Sequence, residues 1–197
     1  MTWELLCIYI HLQDKQTKIM KKLFLPSFAI VLLLASAFTF KAAQSWKIAD
    51  GYKVAFSSAD PSGVFNDLKG TVLFDENDLA GSKFDVVIGV NSINTGNGMQ
   101  NKHAVSANWF DAATYPSIKF TSSSITKGSA GFMAKGILDM HGVQKEITIP
   151  FTVDKNSTGA TFNGSFEVNR NDWKIGEPGG KASEVIKLSV SVPVTKQ

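Results

Sequence analysis

Two histidines, one arginine and a glycine-rich run are the residues whose types could do chemistry once the first part of the chain is set aside. His103 and His141 can in principle serve as acid, base or metal ligand, but neither has a third ligand at a recognised spacing. A seryl nucleophile has no Gly-x-Ser-x-Gly turn to present it. Gly176-Glu-Pro-Gly-Gly180 has the composition of a phosphate cradle without its setting, since no strand leads in and no helix leads out. It reads as a loop and a candidate rim. Arg170, the only arginine, is the candidate to meet an anionic headgroup, with His103 beside it as a second candidate for a polar end. The alternative for Arg170 is a structural pair with Asp172 or another carboxylate. No enzyme signature results, and neither a cofactor nor a metal is expected.

The elements that must position these residues are strands. From Gly51 onward apolar residues recur at every second position, the period of a half-buried strand. The sets are Tyr52 to Phe56, Val72 and Phe74, Phe84 to Val90, Ile118 and Phe120, Phe132 to Met140, Ile147 to Val153, Phe162 to Val168, and Leu188 to Val194. Pro150 predicts an edge or a bulge in the sixth. Asn163-Gly164 is a hairpin signal, but a turn there would leave a very short arm, so a continuous strand with a bulge is expected. Eight short strands joined by Gly, Asn, Asp and Ser clusters imply an all-β sandwich or barrel. Closure into a barrel would remove exposed edges. An eight-stranded barrel is wide enough either to be filled by side chains or to hold one slender ligand.

The chain has 197 residues, and its beginning does not read as part of this pattern. Met20-Lys-Lys followed by an apolar run and Ala35-x-Ala37 has the layout of a secretory signal. Residues 1–19 then read as a mis-set start, 20–43 as a signal peptide and 44–197 as one domain. Five of the 20 basic residues and two of the 17 acidic ones leave with the leader, so the remaining domain is formally neutral. Nucleic acid is therefore not an expected partner. The single cysteine, Cys7, leaves as well, so neither a disulfide nor a lipid-bearing cysteine remains. The expected location is periplasmic or secreted, with no stable membrane anchor after cleavage and no signal for a particular oligomeric state.

One connection breaks the alternation. Asn101 to Phe120 holds a short helical turn with His103, then Trp109-Phe110-Asp111 and Tyr115-Pro116-x-Ile118-x-Phe120, and Gly136-x-Leu-x-x-His141-Gly142-x-x-Lys145 follows it. Their order and spacing resemble the YceI-like lipid and polyisoprenoid-binding family, with looser matches at Ser62-Gly-Val-Phe65, Asn91-Ser-Ile-Asn-Thr95 and Asn169-Arg170-Asn-Asp172-Trp173. The resemblance implies an extended, lipocalin-like barrel of eight antiparallel strands, a short helix between strands 3 and 4, and a lumen that takes a polyisoprenoid, isoprenoid quinone or fatty acid derivative. The inward positions Phe56, Phe74, Phe84, Val86, Ile88, Phe120, Phe132, Leu138, Phe151 and Phe166 are the expected lining. Family members carry histidines in and after the first strand and an Arg-Asp pair ahead of the helical His. Here the first strand has none, and Gln100-Asn101 replaces the pair, so the apolar part of the likeness is better kept than the polar part. The alternative is a non-catalytic structural or stress-related domain with a filled lumen and a protein partner.

Overall fold

The structure, a computed structural model, describes residues 43–197. The expected mis-set start and signal segment lie outside the described residues, apart from Ala43.

The strand segments are β1 (Ser45–Ile48), β2 (Lys53–Ser57), β3 (Gly63–Phe65), β4 (Leu68–Leu73), β5 (Lys83–Gly89), β6 (Ile93–Asn94), β7 (Ser117–Gly128), β8 (Gly131–Met140), β9 (Val143–Lys155), β10 (Gly159–Asn169) and β11 (Val185–Lys196). They form eight strands, because β1 with β2, β3 with β4 and β5 with β6 are each one strand interrupted in its middle. All pairings are antiparallel, and β11 closes the ring by pairing with β10 on one edge and with β1 and β2 on the other. The result is a closed eight-stranded barrel.

The turns follow from the residues at them. β8 meets β9 through His141 and Gly142, with φ of 53° and 72°, the paired positive values that a two-residue hairpin requires. The expected helix is α1 (Gly98–Ala104), which lies between β6 and β7; the Asn97 side chain caps it by accepting from the Met99 and Gln100 N–H groups. Asn163 and Gly164 lie inside a continuous β10, with no bulge there; the ladder irregularity falls in β7, between Ser122 and Ser124. Pro150 pairs with Met133 of β8 and lies one residue beyond the end of the β9–β10 ladder, an edge position suited to a residue without an N–H.

Packing divides the interior into two halves. At one end Phe74, only 1% exposed, is met edge-on by Phe132, Phe151 and Phe162 at 5.0, 5.8 and 5.4 Å. Trp46 stands against Phe162 and donates its indole N–H to the Phe74 carbonyl at 2.9 Å, so the one polar atom in this plug is paired. Edge-on aromatic packing adds to the area these rings bury. The opposite end carries α1, the 57–63 connection and the long connection from β10 to β11. Phe74→Ala removes the centre of the plug and is expected to cost about 3–5 kcal/mol, read as a shift of the urea unfolding midpoint.

Candidate ligand-binding site

Between the plug and the open end lies a cavity of about 720 Å³. Its wall is the inward face of the strands: Phe56 on β2, Phe84, Val86 and Ile88 on β5, Phe120 on β7, Leu138 on β8, Phe151 on β9 and Phe166 on β10. Phe74 and Phe132 do not reach it. They face inward as expected, but their rings are spent on each other, 5.0 Å apart and nearly perpendicular, and they form the floor's far side. The barrel is therefore filled at one end and hollow at the other, and a wholly filled lumen is not what it contains.

Several wall residues lay outside the expected set. Val54, Ile118, Val190 and Val192 line the cavity from faces the alternation marks, whereas Leu68 lies ahead of the Val72 and Phe74 set and Phe65 comes from a three-residue segment too short to show a period. The mouth adds Asp60, Thr95, Asn97, Gln100, His103 and Lys181, a rim with both signs of charge and several neutral hydrogen-bonding groups. Met99, 81% exposed on α1, also reaches it.

Arg170 and His103 meet at this mouth through Trp109. The imidazole stands edge-on to the indole at 5.5 Å, and the guanidinium carbon lies 5.3 Å from the centre of the same indole. Arg170 itself is 4% exposed, and each of its N–H groups is used. Nε donates to the Ser183 carbonyl; one terminal nitrogen donates to Ile175 O and Asn171 Oδ1, the other to Glu177 O and Ala182 O. The glycine-rich connection is thus wrapped round a cation, and the expected carboxylate pair with Asp172 does not form because Asp172 holds Lys145 at 3.0 Å. His141 is turned away from the lumen, its Nδ1 donating to the Trp173 carbonyl at 3.0 Å. The residues that sequence alone marked as chemical are engaged in building the rim.

The protein is a closed β-barrel, plugged by aromatic rings at one end, with an apolar cavity that meets a polar rim at the other. Residues 37–194 match the family model of the YceI-like domain, and the chain belongs to that family. A UPF0312 protein of Yersinia enterocolitica is 33% identical over 136 residues, 66% of this chain and 71% of that protein. The crystal structure of Burkholderia cenocepacia BcnA matches with a TM-score of 0.65 at 27% identity, over 73% of this chain and 94% of that one. A polyisoprenoid binding domain of Saccharophagus degradans, implicated in plant cell wall breakdown, matches with a TM-score of 0.60 at 18% identity, over 80% of this chain and 100% of that one. At that identity the likeness is one of fold.

Glu184 ties the same connection together: its carboxylate accepts the Gly179 N–H at 3.0 Å. That bond, then the Asn171 side chain and the nearby Arg170 charge, hold its pKa below the ordinary 4.5. A lowered carboxylate pKa contributes order that is complete above 4.5 and is lost as pH falls through the lowered value. Carbon-detected NMR titration should place the Glu184 midpoint below 4.5, and in Glu184→Gln the Gly179 amide should lose its acid-dependent change in hydrogen exchange.

Proposed function

We propose that the protein is an exported binding or carrier protein for a long apolar amphiphile, such as a polyisoprenoid, an isoprenoid quinone or a fatty acid derivative, held chain-first in the barrel. The observation that carries this reading is the apolar cavity of about 720 Å³, blind at the Phe74 end. That volume lies within the roughly 300–1,000 Å³ of ligand pockets in general. The polyisoprenoid binding domain of Saccharophagus degradans shares the fold and supports the choice of ligand class. The Met20 to Ala43 leader pattern supports a periplasmic or secreted location.

The energetics suit a chain. Burial gains about 0.8 kcal/mol per CH₂, so one isoprene unit contributes roughly 3–4 kcal/mol before ordering costs. A few units then suffice for firm binding. Arg170 has no N–H left to offer a headgroup, so the groups a headgroup would meet are Asp60, Lys181 and the neutral polar side chains of the rim. The reading is of binding without catalysis.

Native mass spectrometry of the protein purified after export, followed by organic extraction, is expected to show an added mass that extracts as an isoprenoid or fatty acyl species. Protein that carries nothing and takes up neither a quinone nor a polyprenyl probe would overturn the reading. Ile88→Trp and Phe120→Trp place an indole across the cavity and should weaken probe binding by about tenfold or more while leaving the circular dichroism of a folded barrel.

A further inference from the structure

The barrel wall is paired all the way along each side of one particular boundary, but not across it. β8 and β9 pair from Met140 with Val143 to Phe132 with Phe151, and β10 and β11 pair from Gly159 with Thr195 to Asn169 with Val185. Between β9 and β10 the ladder covers only Ala160 with Lys155 to Gly164 with Phe151. Residues 143–150 of β9 and 165–169 of β10 therefore face each other without forming a ladder, in the half of the barrel that holds the cavity. The slit from Pro150 to Glu146 is about 13 Å long at about 3.3 Å per residue.

Both ends of the slit are built. At its apex Pro150 has no N–H to give, and Gly164 has no side chain; a Cβ there would stand 3.2 Å from the Pro150 carbonyl. At its foot the turn after β10 is tied to β9 by Lys145, which meets Asp172 at 3.0 Å, while the Trp173 indole N–H donates to Leu138 O of the next strand, β8, at 3.3 Å. The inner margins are apolar, with Ile147 and Ile149 on one side and Phe166 and Val168 on the other, all half-buried.

We infer that this seam is a lateral port through which the apolar chain of the ligand enters and leaves the lumen while its headgroup stays at the mouth. The inference rests on the binding reading above. A chain threaded end-on must pass the polar rim segment by segment, whereas a slit parallel to the barrel axis lets it be laid in broadside. The apolar margins then contact it along its length during transfer.

The test is a stitch across the seam. In the protein carrying Cys7→Ser, Thr148→Cys and Glu167→Cys place thiols on exposed positions that would be opposite if the ladder continued. They are joined with a cleavable bifunctional thiol reagent. Asp154→Cys with Thr161→Cys, opposite each other within the existing ladder, is the control. With a fluorescent polyprenyl probe, the stitched seam is expected to slow uptake and release about tenfold or more, with affinity nearly unchanged, and cleavage of the linker to restore the rates. The control should exchange as the unlinked protein does. Lys145→Ala, which loosens the foot without a linker, should speed release severalfold. Probe that binds but exchanges at the same rate with and without the stitch overturns the port. Failure of the unlinked protein to bind probe at all overturns the lumen reading, and the port with it.

Discussion

Every interior feature of this molecule depends on β11 being paired along both of its edges. One edge carries β10 over the whole run from Gly159 to Asn169, and the other carries β2 and then β1. That double pairing removes the free edges an open sheet would leave. It also fixes which side chains point inward, because a ring of paired strands has only one inside face, and a one-residue slip would turn every side chain over. The core, the cavity and the rim are consequences of that register.

Within the ring, the difference between core and cavity is one of filling and not of polarity. Five phenylalanines and Trp46 crowd the end where β1, β4 and the starts of β5, β8 and β10 meet, and they leave no room. Further along the axis aliphatic side chains, Val54, Val86, Ile88, Leu138, Leu188 and Val190, stand among Phe56, Phe120 and Phe166, and the space between them stays open. Ala134, 1% exposed on the wall, and Gly164 on the same inward face widen it further. The bulk of the inward residues changes along the axis and so sets the depth of the cavity, while the barrel's strand number sets its girth.

How much of this could be read from the residues follows from what a period can and cannot carry. Alternation identifies a strand's inward face, which is why the eight strands and most of the cavity wall were legible. It does not say how far along the barrel axis a residue sits, so Phe74 and Phe132 were indistinguishable from Phe84 or Phe120. The interruptions were hidden for the same reason: β3 has three residues and β6 has two, too few to show a period. For Arg170 a structural role was legible as one of two readings, but the carboxylate partner expected with it was not the one that forms. Its partners are the carbonyls of Ile175, Glu177, Ala182 and Ser183 and one amide oxygen of Asn171, and a backbone carbonyl leaves no mark in the residue types. The family resemblance supplied what alternation could not, namely that the barrel is hollow.

The β9–β10 seam gains meaning beside another gap in the wall. Where β1 gives way to β2 and β3 to β4, the ladder is also interrupted, and a cleft of about 400 Å³ lined by Asp50, Asp67, Lys69 and Tyr52 lies over the break. There a side chain takes the place of the missing ladder: the Tyr52 hydroxyl donates to the Asn66 carbonyl at 2.9 Å and accepts the Leu68 N–H at 3.1 Å. The break is polar and tied from strand to strand by one phenol. Between β9 and β10 the residues at the apex, a proline and a glycine, offer neither a donor nor a side chain, and the inner margins are apolar. One interruption is therefore chemically sealed, and the other is built so that pairing stops and apolar surface borders the slit.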